Sequence, residues 1–270
     1  MFPTLRRSLP LPRGAVAVAT VVLLLVPLGR FTAPNATDQQ VAPPWTPPGG
    51  SAVLGTDALG RDVLSRVLAG GTQLLFVSLT AAATAVICGT VLGLAAGWCG
   101  GRTARAVHRL CDLLLAVPAL LIALVLAVAL PGSTAVIVAS LLSGAPLTAR
   151  VVAAQSAHLH DSGHVRAAVE RGERTASVLV REVLPALRGL VAADSGLRLV
   201  TALQIASALA VLGLGPHPPE PDWALMLSEN LPGVALNPMG LLAPAIPLAG
   251  CCWALAAAAR SLTHRTEVAV

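Results

Sequence analysis

Residues 14–29, 67–101, 113–149 and 230–259 of this chain carry no charged side chain. A helix needs roughly 20 apolar residues to cross a bilayer. The first stretch predicts one crossing. A basic segment with Arg6, Arg7 and Arg13 precedes it, as in a signal peptide, but its length and the later apolar runs favour a retained helix. The second stretch accommodates a helix over about 73–98. The third is too long for one crossing and breaks at Pro131-Gly132, a turn-forming pair, which gives a third helix ending near Leu130 and a fourth from Ser133. A fifth is expected over about 191–214, and a sixth begins after Pro238. The fold class expected is all-α, a polytopic membrane protein with six transmembrane helices.

Charge placement orients these helices. With the N-terminus inside, segments 1–13, 99–110, 149–190 and 260–270 hold Arg6, Arg7, Arg13, Arg102, Arg105, Arg109, Arg150, Arg166, Arg171, Arg174, Arg181, Arg188, Arg260 and Arg265. The outer segments hold only Arg30, Arg61 and Arg66. That asymmetry places both termini in the cytoplasm.

Composition agrees and removes several functions. Hydrophobic residues make up 55% of the 270 positions and charged residues 11%, with a mean hydropathy of +0.77; soluble domains carry about 25% charge. All eighteen basic residues are Arg, so the chain has no lysine for a nucleotide-binding Walker loop. Any ATP and magnesium would be bound by other subunits, and no cofactor is expected on this one. The net positive charge follows topology and does not point to nucleic acid. Cys88, Cys99, Cys111, Cys251 and Cys252 form no C-x-x-C pair and read as inert thiols in or beside apolar runs. No catalytic constellation or metal set is present. His158, His160 and His164 share no helical face and read as loop surface.

Between Arg150 and Arg188 lies an inner segment longer than a simple connection needs. Val165, Val169, Gly172, Ala176, Leu179 or Val180, and Val183 recur at spacings of three and four, one face of an amphipathic helix or of two short helices hinged at Gly172. Glu170 and Arg174 would pair on the opposite face.

Here the residues resemble a known family. Residues 164–172 read H-V-R-A-A-V-E-R-G, with Leu184-Pro185 following. This is similar to the E-A-A-x-x-x-G loop, with its Leu-Pro, of permeases in importers of the ATP-binding-cassette type. Residues 54–66, L-G-T-D-A-L-G-R-D-V-L-S-R, resemble L-G-T-D-x-x-G-R-D-x-x-S-R of the dipeptide/oligopeptide/nickel permeases. Gly55, Thr56, Asp57, Gly60, Arg61, Asp62, Ser65 and Arg66 carry that match. Physically, Thr56 is placed to cap an outer amphipathic helix over about 57–68, with Asp57–Arg61 and Asp62–Arg66 pairs and Gly70-Gly71 as its terminator. Residues 212–223 resemble the L-G-L-G-x-x-P-P-x-P-x-W stretch that follows the fifth span of the same family. The three matches lie in the family's order, closest in arrangement to its C-type subunit.

The resemblance implies a heterodimer with a second permease, two ATP-binding subunits and an external solute-binding protein, all working at the bacterial cytoplasmic (inner) membrane amid its lipids. It also implies that Arg166, Ala167, Ala168, Gly172, Leu184 and Pro185 belong to a coupling loop, 164–185, touched by the ATPase. The chain would divide into residues 1–72, containing the first span and outer helix, and a permease domain over 73–265. Segments 31–72 and 215–238 would receive the solute-binding protein, which selects peptide, nickel or a related solute. Three positions depart from the pattern: Arg166 stands for the usual glutamate, Ala206 for an acid in the fifth span, and Ala224 for the glycine after Trp223. These departures leave open a non-transporting scaffold derived from such a permease. Asp194 and Arg198, four apart in the fifth span, are either pathway residues or a self-satisfied pair near the interface, and Gln204 is a further pathway candidate.

Overall fold

The computed structural model describes Gly29 and residues 31–50, 52–215 and 220–267. The expected first span lies almost wholly outside these residues, as do positions 216–219 of the third motif. The described chain is helical, with isolated bridges such as Thr56 to Asp62 in place of a sheet. In order the helices are α1 (Val63–Cys99), α2 (Gly101–Leu115), α3 (Ala119–Ala129), α4 (Gly132–His160), α5 (Gly163–Glu170), α6 (Thr175–Val178), α7 (Leu184–Val211), α8 (Trp223–Asn230) and α9 (Met239–Glu267). A π-helical turn, Leu179–Val183, joins α6 to α7 without a break.

Three of these helices, α1, α4 and α9, are long and apolar enough to cross a membrane, and α2 with α3 makes a fourth if the bent pair is one span. Helix α7 matches them in length but carries Arg188, Asp194 and Arg198. At 37 residues α1 is about 55 Å long, so it extends well past a hydrocarbon layer of about 30 Å.

Small residues bring α1 and α4 together. A Cβ on Gly89 would lie 2.6 Å from the Ala145 carbonyl oxygen, one on Gly93 2.7 Å from that of Ala149, and one on Gly97 2.6 Å from that of Ala153. The helices therefore meet backbone to backbone, the packing available in lipid, where apolar side chains gain little by leaving their surroundings. Ala81, Ala82, Ala139, Ala202, Leu203 and Leu209 continue this core across α1, α4 and α7.

Several sequence expectations change. No separate helix covers 57–68: residues 54–62 form turns, and α1 starts at Val63 with Asp62, not Thr56, as its cap. Gly70-Gly71 does not end a helix, because α1 runs through both and across position 72. Gly70 instead gives room to Trp223, whose Cδ1 would be 3.2 Å from an added Cβ. The third span is broken at Pro118, where α2 and α3 diverge by 78°. The fifth helix starts earlier than expected, at Leu184.

Candidate functional site at the two ends of the bundle

One end is a clasp. Residues 31–50, 52–62 and 221–238 fold over the start of α1, and all eight residues of the second motif are buried there. Asp57 organises it. Its Oδ1 accepts from the amides of Leu59 and Arg61, both at 2.9 Å, while Oδ2 takes Arg61 Nε at 2.7 Å and Arg66 Nη1 at 2.5 Å. Arg61 and Arg66 also reach Glu229 Oε2, at 3.1 and 2.6 Å. Two acids and two guanidiniums thus neutralise one another away from water. Asp62 does not pair with Arg66 as expected. It accepts from Leu64 and Ser65 amides, Ser65 Oγ and Asn35 Nδ2.

The glycines of this motif are steric requirements. Gly55 and Gly60 both have φ of +76°, and a Cβ would sit 2.4 Å from the Thr46 oxygen and 2.2 Å from the Ala42 oxygen respectively. Thr56 Oγ1 donates to the Pro43 carbonyl and accepts from the Thr46 amide. From the far segment, Asn230 Oδ1 accepts from Ala58, Asn237 Nδ2 donates to the carbonyls of Leu54 and Thr56, and Trp223 Nε1 donates to that of Val67. Asp222 caps α8 through the amides of Ala224 and Leu225. Burial raises its carboxyl pKa above the ordinary value, a shift those amides and Arg66 only partly oppose.

Glu229, Asn230 and Asn237 were not singled out from sequence. The sequence carried no charge signal for Glu229, because residues 54–66 balance by themselves, Asp57 and Asp62 against Arg61 and Arg66; only the structure shows Asp62 spent on the α1 cap.

The other end carries the loop 164–185. Val165, Ala168, Val178 and Val183 are buried with Val152 of α4 and Leu187 of α7, and Leu94, Trp98, Leu159 and Leu190 pack around them. The loop is thereby fastened beneath three long helices. The predicted single face is altered: Ala168 points inward and Val169 is 46% exposed. Gly172, at φ +75°, separates α5 from α6, so Glu170 and Arg174 do not share a helix. Arg171 pairs with Glu173 instead. Arg166 is exposed and donates to Asp161 at 3.0 Å, which holds the Asp161 carboxyl below its ordinary pKa. Ala167 is half-buried, Leu184 half-buried, and Pro185 exposed at the start of α7.

Between the ends, Asp194 accepts from Arg198 Nη2 at 3.2 Å and from Thr148 Oγ1 at 2.5 Å, linking α7 to α4. Gln204 is not part of this group. It lies exposed with Leu197 and Thr201 along a side of α7 that borders Asp194. Ala206 sits in the apolar core and Ala224 is fully buried. Among the described residues no group of His, Cys, Asp and Glu is arranged to hold a metal.

Long apolar helices packed through small residues define a multi-pass membrane protein. Residues 89–268 match the family described as binding-protein-dependent transport system inner membrane component, and the chain belongs to that family. It is 30% identical over 233 residues to the oligopeptide transport system permease protein OppC of Bacillus subtilis, covering 86% of this chain and 76% of that one. It is 33% identical over 228 residues to the di/tripeptide transport system permease protein DppC of Pseudomonas aeruginosa, with 80% and 75% covered. The glutathione transport system permease protein GsiD of Pectobacterium atrosepticum is 32% identical over 196 residues, with 72% and 65% covered.

Proposed function

We propose that this chain is a permease subunit of an ATP-driven importer that admits a peptide or a related small solute, with nickel a further candidate, through the bacterial cytoplasmic membrane. It crosses six times, the crossing over 14–29 included, with both termini cytoplasmic. A second permease completes the pathway. Two ATP-binding subunits, holding ATP and magnesium, work on the loop, and an external solute-binding protein delivers the substrate to the clasp end.

The observation that carries this reading is the loop's two-sidedness. Its apolar side is locked under α1, α4 and α7, while Val169 and Val180 remain exposed beside Arg166, Arg171, Arg174 and Arg181. Such a surface suits a cytoplasmic partner. The π turn passes movement of α6 directly into α7, which bears Asp194 and Arg198. Leu197, Thr201 and Gln204 share the exposed face of α7 and are the residues we assign to the side facing the second permease and the pathway. Arginine placement supports the orientation: Arg102, Arg105, Arg109, Arg150 and the loop arginines lie at one end, Arg61 and Arg66 at the other. At the clasp end Val53, Leu59, Leu231 and Leu236 are exposed around the buried motif and are available to the solute-binding protein.

Co-expression with the genes neighbouring this one, followed by affinity purification through a tag on this chain, tests the reading. The ATP-binding subunits should be retained by wild type and lost by Gly172→Pro, since proline fixes φ near −65° where the loop needs +75° and removes the amide bound to the Val169 carbonyl. Failure of a monodisperse wild-type preparation to retain any ATP-binding subunit would overturn the coupling role and leave a non-transporting scaffold.

A further inference from the structure

Helix α2 begins at Gly101, directly after Gly100, and the φ values of +58° at Gly100 and +51° at Gly101 turn the chain off the end of α1. It has three distinct sides. Cys111 is buried, with Ala104 and Val107 half-buried on the same side, where the helix packs on α1 and α4. Leu110 and Leu113 are exposed, at 45% and 68%. Between these sides Arg102, Arg105 and Arg109, at positions i, i+3 and i+7, fall within an arc of about 60° at 100° per residue, all exposed.

Nothing on the helix offsets those three guanidiniums. Among the described residues none is paired with a carboxylate; Arg105 Nε donates only to the Gly101 carbonyl of its own first turn, at 3.3 Å. Asp112, the one acid of α2, is engaged by Arg150 of α4. Beyond α2 the chain bends by 78° into α3, whose Leu120, Leu121, Val125 and Val128 are exposed and apolar. An exposed basic stripe that gives way to exposed leucines and then to an apolar helix is the form of a span leaving the headgroup layer.

We infer that the first two turns of α2 lie at the membrane surface, where Arg102, Arg105 and Arg109 bind the headgroups of anionic phospholipids, and that the helix enters the acyl region at Leu110 and Leu113 on its way into α3. This goes beyond the transport reading and rests on it in one respect, the assignment of the loop end to the cytoplasmic leaflet. There a negative surface potential favours arginine, and the attraction is weakened by salt.

The test uses the full chain reconstituted in phosphatidylcholine bilayers doped with spin-labelled phosphatidylglycerol or spin-labelled phosphatidylcholine. Electron spin resonance measures the motionally restricted fraction of each label. Wild type should restrain the phosphatidylglycerol label more than the phosphatidylcholine label at low salt, and the difference should shrink at high salt. The triple variant Arg102→Gln, Arg105→Gln, Arg109→Gln should hold the two labels equally. The triple variant Arg171→Gln, Arg174→Gln, Arg181→Gln, on the loop, should keep the wild-type selectivity. Equal restraint by wild type, an unaltered α2 variant, or loss of selectivity in the loop variant instead would overturn the inference. Both leaflets carry label, so the result does not depend on orientation or on an ATP-binding subunit, and its failure is separable from failure of the transport reading.

Discussion

Arg66 and Glu229 lie 163 positions apart in sequence and meet at 2.6 Å, Nη1 to Oε2, beneath the clasp. Arg66 is fully buried and shares the same nitrogen with Asp57. The contact ties the first turn of α1 to the last turn of α8, so the two outer segments form one body. Removing one member leaves a buried cation uncompensated. Glu229→Gln should destabilise the solubilised chain by about 3–5 kcal/mol, the usual cost of breaking a buried pair, read as a lowered Tm. Replacing both, Arg66→Met with Glu229→Leu, should recover part of that loss.

Gly60 offers a second test of the clasp. Its φ of +76° alone costs an L residue about 1–2 kcal/mol, and the Ala42 oxygen stands in the way of any Cβ. Gly60→Ala should lower Tm by more than that backbone term accounts for. Gly172→Ala, with the same sign of φ but open space around it, should show the backbone term alone. Equal losses at the two positions would mean the clasp relaxes freely around the added carbon.

The helix contact depends on the absence of side chains. Gly93→Leu forces an isobutyl group against the Ala149 carbonyl and Val152, and should cost about 1–3 kcal/mol, as overpacking does. Leucine at Phe76, which is exposed, should leave Tm nearly unchanged.

Asp222 makes a prediction in pH. Burial raises its folded-state pKa above the unfolded value, so the folded chain binds this proton first. Between the two values stability falls as pH rises, and acidification through that window stabilises the clasp with respect to this one group. Asp222→Asn retains a side-chain oxygen for the α8 cap and removes the charge. The difference in Tm between Asp222→Asn and wild type should therefore be largest near neutral pH and narrow towards about pH 4, the ordinary carboxylate range. A difference that widens on acidification would contradict the assignment. Asp222→Ala, which also loses the cap, should cost about 1 kcal/mol more than the Asn variant.

The parts of this molecule that depend on local pattern were readable in its sequence. Charge-free runs marked α1, α4 and α9, Pro131-Gly132 separated α3 from α4, and Asp57 does pair with Arg61 at 2.7 Å. What sequence left hidden depends on contacts between distant segments. Gly70-Gly71 reads as a terminator, yet the indole of Trp223 packs there and the helix continues. Arg66 turns from its neighbour Asp62 because Asp62 is already committed to capping α1 and to Asn35. On the loop, a uniform period of three and four fails because Gly172 divides the helices and the π turn inserts a step of five from Val178 to Val183.

On the proposed reading the two ends of this bundle serve different partners, an ATP-binding subunit at the loop and a solute-binding protein at the clasp. The most direct measurement places a photo-cross-linking amino acid at Arg166 or at Leu59, both exposed, in cells that express the neighbouring genes. Illumination should join position 166 to the ATP-binding subunit and position 59 to the solute-binding protein. The opposite pairing, or both positions joined to one partner, would contradict the account.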